Sequence, residues 1–326
     1  MPSHTFEQFV RFTTDAAGLE RTFRLFQSIA QILASYILPF NILLFLLSFL
    51  PSSTTTTNGK AFPDAATTHA VLLGLRANFN LARRYFRLFR FLESFAAAQK
   101  IYTSIQHSSH IRTSTPENKS RFGATAPLWI DVFGRTFNGM YLLLEASALL
   151  DVQRIPGLSI WGPELEPLVA VEGQQFWLFS LVCGVVAGLM RLADLVLPLP
   201  SASRDDGGVS AGEKMQGSDA DAGKEEGKEK GEEGDGREEE EEEKDEKMDE
   251  KVKTDQLVKR QEVRAKISNL TRRIVSDALD ITLPGSVVGW VPASTGTVGL
   301  AMFVTTILTS MDIWERCGRE VASTNK

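Results

Sequence analysis

The amino-acid sequence predicts an all-α fold of membrane-associated helices, with amphipathic N-terminal helices, two to three hydrophobic membrane segments and a disordered acidic linker. Apolar residues recur at three-to-four-residue spacing in several segments, which indicates helices with one apolar face. Three long runs, residues 25–59, 173–190 and 281–311, carry no charge, and acidic residues concentrate in one tract. We therefore expect four regions: N-terminal amphipathic helices with an apolar insertion (1–107, insertion 37–50), central helices with a membrane segment (108–200, segment 173–190), the acidic linker (201–256), and a C-terminal amphipathic helix with a second membrane segment (257–326, segment 281–311).

The charge of the chain is distributed unevenly. The whole chain carries −6 at pH 7, whereas residues 201–256 contain 22 Asp and Glu against 10 Lys and Arg. That tract alone accounts for −12, so the rest of the chain is basic, at +6. A basic body matches the anionic surface of a membrane. The acidic tract has too few hydrophobic residues to offset the entropy of ordering, and we expect it to be a disordered linker.

The first region combines a helix with an apolar stretch. Residues 5–36 are predicted to form an amphipathic helix, and residues 37–50 follow as nearly continuous hydrocarbon. A helix needs about 20 apolar residues to cross a bilayer core, so residues 29–50 are long enough. Pro39 and Asn41 lie near the middle of this stretch. A kinked or re-entrant segment therefore fits the sequence as well as a straight span does.

The most informative segment is residues 71–102, which predict one basic amphipathic helix. At about 100° per residue, a narrow polar stripe lies opposite leucine and aromatic side chains, with Arg84 at its edge. Glu93 is the only acidic residue between Arg76 and Lys100, whereas helices of soluble bundles usually mix both charges. This pattern favours a lipid interface; helix–helix packing is the alternative, and both can coexist in an oligomer. The polar stripe consists of Arg76, Asn80, Arg83, Arg87 and Arg90.

The two later uncharged runs are candidate membrane spans. Residues 173–190 are 18 residues without charge, and residues 281–311 are 31. Both approach or exceed the length that a membrane helix requires. Gly184 and Gly188 of the first run form a small-xxx-small pair, which would let another helix approach closely, but a pattern this short is more often a chance occurrence. The prolines of the second run indicate a break within it.

Sites for catalysis, metals or cofactors are not indicated. The chain has no phosphate-binding glycine loop, no Ser/His/Asp arrangement and no cysteine cluster. His107 and His110 share an HxxH spacing, but they stand in a polar stretch without a third ligand. The two cysteines, Cys183 and Cys317, imply no disulfide framework. We expect no enzyme, cofactor or metal, and no nucleic-acid partner, because the arginines alternate with Phe and Leu at helical spacing.

Three segments carry a family resemblance. The N-terminal helix contains a Gly-x-(Asp/Glu)-(Arg/Lys) step, Gly18 to Arg21, and a Leu-Gln continuation, Leu25 to Gln27. The basic helix contains Ala82-Arg83-Arg84 and the Arg-hydrophobe-hydrophobe-Arg step from Arg87 to Arg90. The last glycine-rich apolar segment ends in Asp312-Ile313-Trp314. In this order the motifs resemble the peroxin 11 family of peroxisome-proliferation membrane proteins, although residues 37–50 and the long acidic linker depart from its pattern.

The resemblance implies an integral protein of the peroxisomal membrane that elongates the organelle before fission and so controls peroxisome size and number. It further implies a homo-oligomer and contact with a dynamin-type GTPase and its adaptor. A small-solute channel of the same membrane and a membrane-shaping protein of another organelle are the alternatives. Against the channel, the candidate spans carry no ionisable residues that would mark a polar pathway.

The same resemblance assigns lipid-binding roles within residues 71–102, which look like the family's membrane-remodelling helix. The partner would be an anionic phospholipid membrane, with arginines at the headgroups and large hydrophobic residues inserted between the lipids. At roughly 1 kcal/mol per basic residue near an anionic leaflet, five arginines supply about 5 kcal/mol. The predicted headgroup ligands are Arg76, Arg83, Arg84, Arg87 and Arg90, and the predicted inserted residues are Phe79, Phe86, Phe89, Leu92 and Phe95.

Overall fold

A computed structural model describes residues 4–49, 65–111, 122–197 and 237–324. Every regular element in these ranges is a helix, which confirms the predicted all-α class. Residues 198–236, most of the predicted acidic linker, lie outside the described residues. The helices in chain order are α1 (His4–Thr14), α2 (Ala16–Ser35), α3 (Ile37–Ser48), α4 (Ala65–Phe86), α5 (Arg90–Ile111), α6 (Phe122–Ser147), α7 (Leu149–Val152), α8 (Gly162–Val196), α9 (Arg237–Asp280), α10 (Thr282–Val288) and α11 (Thr295–Thr324).

The chain divides into two compact units. The first comprises Met1–Ala193 and Asn269–Lys326, and the second Asp194–Ser268. In the first unit α2 is central: it packs against α4 on one side and α11 on another, while α5 packs along α6. In the second unit the main described element is the N-terminal part of α9, which begins at Arg237 and so includes the last residues of the acidic tract.

The helix bundle of the first unit buries polar side chains and exposes apolar ones. Thr305 and Thr306 of α11 are buried, whereas Val304 and Ile307 beside them are exposed, and α2 likewise exposes Phe26. In a protein surrounded by water this distribution is normally the reverse. An apolar exterior around polar contacts fits a lipid environment. The buried polar face of α2 consists of Glu20, Arg24, Gln27, Ser28 and Gln31.

Among the described helices, two, α8 and α11, are long and apolar enough to cross a membrane. The predicted span at residues 173–190 lies inside α8, as expected. The predicted segment 281–311 is instead divided between α10 and α11, because Gly289 adopts a left-handed conformation, with φ of 84°, and ends α10. The amides of Trp290 and Val291 then both donate to the carbonyl of Gly285, at 2.9 and 3.0 Å, and the chain turns into α11.

The N-terminal apolar stretch is bent. The axes of α2 and α3 differ by 100° across a break at Tyr36, so residues 29–50 form no straight span. Tyr36 has an extended backbone, with φ of −114° and ψ of 130°. Pro39 follows in the first turn of α3, where the absent N–H costs no helical hydrogen bond. Of the two alternatives that the sequence left open, the structure has the kinked one.

Close helix contacts are made at glycines. A Cβ atom on Gly184 would lie 2.8 Å from Asp277 Oδ2, and one on Gly188 would lie 2.6 Å from Ile274 Cγ1, so both face α9. The small-xxx-small pair of the sequence therefore does lie at a helix contact. Gly299 of α11 similarly approaches α2, where its Cβ would lie 3.2 Å from the Gln31 side chain.

Candidate functional site

The predicted single helix at residues 71–102 is two helices. α4 ends at Phe86 and α5 begins at Arg90, with a short turn at residues 87–89. In the turn, the amide of Arg87 donates to the carbonyl of Arg84 at 3.1 Å, and the amide of Arg90 donates to that of Arg87 at 3.0 Å. Each of these hydrogen bonds joins residues three apart, as in a 3₁₀ turn, which is wound more tightly than an α-helix. The side chains after the turn therefore point in a different direction from those of a continuous α-helix. The expectation of one continuous helix was therefore wrong.

Two of the arginines pair with a carboxylate of α2. Arg83 Nη2 lies 3.5 Å from Glu20 Oε1, and Arg90 Nη1 lies 3.2 Å from Glu20 Oε2. Arg83 also donates to Gln27 Oε1 at 2.7 Å and is only 5% exposed. Burial, together with the positive charge of Arg87, lowers the pKa of Arg83 to about 9, which keeps it charged at neutral pH.

Two further arginines converge on a carboxylate of α6. Arg87 Nη2 donates to Glu145 Oε1 at 2.7 Å, and Arg84 Nε lies 3.7 Å from the same oxygen. Tyr141 completes the group, because its hydroxyl accepts from Arg87 at 3.2 Å and donates to Glu145 at 3.0 Å. Burial opposes the charge of Arg87, but Glu145 and Tyr141 outweigh this and raise its pKa. Burial raises the pKa of Tyr141 to about 12, so this hydroxyl stays protonated.

The arginine stripe thus faces the interior of the bundle. Four of the five predicted headgroup ligands lie near Glu20 and Glu145, and Arg76 forms no ion pair within the described residues. Headgroup binding by these arginines stays a prediction. The sequence reasoning missed Glu20 and Glu145 as partners of these arginines, although Glu20 is the only acidic residue of α2 and Glu145 directly follows the apolar run 140–144 near the end of α6, a placement that indicates a buried charge.

The predicted inserted residues separate into two groups. Phe79 packs on the aromatic rings of α2, at 5.9 and 5.7 Å between centroids, and Phe86 stacks on one of them at 5.6 Å. Phe95 fills the space over Gly139 of α6, where a Cβ would lie 2.6 Å from its ring. Phe89 and Leu92 instead point outward, with 68% and 57% of their surface exposed. These two residues flank the start of α5.

A second exposed apolar surface is formed by α3. The helix has twelve residues, none charged and none buried. Ile37 and Leu38 at its beginning are 80% and 72% exposed, and Phe45 and Phe49 near its end pack edge to face at 4.8 Å between ring centroids. An exposed apolar surface of this kind marks a membrane or protein contact. Together, α3 and the pair Phe89 and Leu92 form what we call the apolar interface.

The family comparison accords with this architecture. The model of the family "Peroxisomal biogenesis factor 11 (PEX11)" matches residues 61–314. The chain belongs to this family. PEX11 proteins are peroxisomal membrane proteins with a part in peroxisome proliferation, and the family is one of biogenesis factors rather than of enzymes. No curated protein and no solved structure matches the chain.

The matched region includes the basic segment at residues 75–98 and the terminal motif Asp312 to Trp314. The N-terminal motif at Gly18 and the whole of α3 precede the match. No group of His, Cys, Asp or Glu in the described part of the chain is arranged to hold a metal ion. Cys183 and Cys317 are free thiols.

Proposed function

We propose that this protein elongates the peroxisomal membrane by inserting its apolar interface into one leaflet, and thereby promotes peroxisome fission and controls peroxisome size and number. The observation that carries the proposal is the division within residues 83–92. The arginines of this segment pair with interior carboxylates, whereas Phe89 and Leu92 face outward. Burying a Phe or Leu side chain contributes roughly 1.5–3 kcal/mol, so these two side chains favour insertion.

The bend between α2 and α3 supports an asymmetric insertion. Because α3 is inclined by 100° to α2, it is placed to lie along the membrane plane if α2 stands across it. A twelve-residue helix is too short to span a bilayer core, which requires about 20 residues. Apolar volume added to a single leaflet expands that leaflet relative to the other and favours positive curvature.

We propose two roles for the arginines. Arg90 is 44% exposed on its side chain and Arg76 makes no ion pair among the described residues, so both are available to anionic headgroups. Arg83, Arg84 and Arg87 act as positioning residues that hold α4 and the start of α5 to α2 and α6. Self-association and contact with a dynamin-type GTPase and its adaptor are further proposals, which rest on the family.

The test uses the full-length protein in vesicles containing anionic phospholipid, with tubules counted by electron microscopy. The double variant Phe89→Ser, Leu92→Ser should insert equally well through α8 and α11 but form few tubules. The matched control is Leu257→Ser, Val258→Ser, which alters two similarly exposed apolar residues of α9. Wild-type tubulation by the first variant would refute the proposal. An equal loss of tubules in the first variant and the control would show that Phe89 and Leu92 have no special role in tubulation.

A further inference from the structure

A cavity of about 530 Å³ lies inside the first unit, between α2, the start of α5, α6, α8 and the end of α9. Its charge is unbalanced, because six arginines and four carboxylates line it. The excess is two positive charges at neutral pH. Trp177 and Leu181 of α8 form an apolar wall. The arginines are Arg21, Arg24, Arg83, Arg87, Arg90 and Arg135, and the carboxylates are Glu20, Glu93, Asp277 and Asp280.

The buried carboxylates are largely engaged by other arginines. Asp280 pairs with Arg24, which also donates to Thr305 Oγ1 at 3.0 Å. Glu20 is shared by Arg83 and Arg90, as described above. Little acceptor capacity is therefore left inside the protein for the guanidinium groups that remain.

Three donors that line the cavity have no acceptor within the described ranges. The guanidinium groups of Arg21 and Arg135 make no ion pair there, and Arg21 Nε is buried without a hydrogen-bond partner. The hydroxyl of Ser276 is likewise unpartnered, in a residue that is only 2% exposed. A buried polar group without a partner costs roughly 1–3 kcal/mol, so an acceptor bound here would relieve two such groups, Arg21 Nε and the Ser276 hydroxyl, while the exposed Arg135 supplies a further positive charge.

The donors suit one class of ligand. Guanidinium groups bind phosphate oxygens with paired, charge-assisted hydrogen bonds. A phosphomonoester carries about 1.5–2 negative charges at neutral pH, and the lining has more arginines than carboxylates to receive them, even with Arg87 paired to Glu145 outside the lining. Arg90 and Arg135 are exposed, so a ligand can enter from outside the bundle.

We propose that this cavity binds a phosphomonoester anion, with Arg21, Arg135 and Ser276 as its ligands. The phosphate can belong to a lipid headgroup, such as that of phosphatidic acid, or to a soluble metabolite. The site is separate from the apolar interface, and its occupancy does not depend on membrane remodelling.

The experiment titrates the full-length protein in phospholipid-free detergent with two probes, monitored by calorimetry. The probes are glycerol 3-phosphate and dihexanoyl phosphatidic acid, which share the phosphomonoester and differ in their acyl chains. Saturable binding of both probes identifies a soluble phosphate as a sufficient ligand. Saturable binding of dihexanoyl phosphatidic acid alone identifies the lipid as the ligand. Absence of saturable binding by either probe would overturn the proposal.

Variants locate the site. Arg21→Gln and Arg135→Gln should each weaken binding by roughly tenfold or more, because each removes a charge-assisted hydrogen bond. Ser276→Ala is a smaller change and should weaken binding severalfold. It keeps the test valid if either arginine variant fails to fold. The control Arg319→Gln alters an exposed arginine that does not line the cavity, and should leave binding unchanged. Binding that is equally strong in all four variants would place the ligand elsewhere.

Discussion

Glu20 offers the sharpest test of the inward-facing arginine stripe. Its carboxylate is almost fully buried and pairs with Arg83 and Arg90 at 3.5 and 3.2 Å. The change Glu20→Gln keeps the shape of the side chain and removes its charge. Arg83 then remains buried with neutral amide oxygens, that of Gln27 and that of the new side chain, as its acceptors and without a compensating negative charge. Breaking a buried ion pair in this way costs about 3–5 kcal/mol, because the remaining charge is uncompensated.

The assay is thermal unfolding of the full-length protein in detergent, followed by far-ultraviolet circular dichroism. For a unit of this size, a loss of 3–5 kcal/mol corresponds to a fall in Tm of roughly 6–20 °C. The matched control is Glu320→Gln, which removes an exposed carboxylate that pairs with Arg11 at 3.0 Å. Exposed pairs contribute about 0–1 kcal/mol, so the control should change Tm by only a few degrees.

A double variant separates lost charge balance from general damage. Glu20→Gln combined with Arg83→Met removes both the carboxylate and the buried charge that it neutralises. We expect this variant to recover part of the stability that Glu20→Gln loses. If Glu20→Gln is no less stable than the Glu320→Gln control, Arg83 and Arg90 are not held by the interior carboxylate, and our account of the stripe is wrong.

Three further results are expected. Gly188→Ala should destabilise the protein, because the new Cβ would lie 2.6 Å from the Ile274 side chain. Gly74→Ala, whose new Cβ would have no other atom within 4 Å, should instead stabilise α4 by about 0.5–1 kcal/mol. Thermal unfolding of both variants distinguishes a close helix contact from ordinary helix propensity. Burial raises the pKa of Asp277 to about 6, so the folded state holds its proton more tightly than the unfolded state, and stability should fall as pH rises from about 4 to 6. Asp277→Asn should abolish this decline and stabilise the protein at pH 8 by up to roughly 3 kcal/mol, and an unchanged pH profile of Tm would contradict the assignment. Gly289→Ala should lower Tm by a few degrees, because φ of 84° strains any residue with a Cβ, and an unchanged Tm would show that the turn after α10 tolerates other conformations.

Local patterns were sufficient for the all-helical class and for the membrane segments, but they missed two helix breaks: residues 5–36 form α1 and α2, which meet at Asp15, and residues 71–102 form parts of α4 and α5. The charge-free run at residues 173–190 predicts a span that lies inside α8. Pro39 and the prolines of residues 281–311 indicate breaks, and the chain does bend at Tyr36 and at Gly289. These features depend on neighbours within a few residues, since helix periodicity and backbone breaks are local properties.

The amino-acid sequence by itself determined that α4 and the start of α5 carry arginine on one face and large apolar side chains on the other. Only the tertiary structure decided which way those faces point. The partners Glu20 and Glu145 lie 63 residues before Arg83 and 58 residues after Arg87, so no local pattern reveals them. An amphipathic helix looks the same whether its charges face lipid headgroups or carboxylates inside a bundle. Which way the arginines face depends on where distant helices place their carboxylates, because a buried guanidinium requires a compensating negative charge nearby.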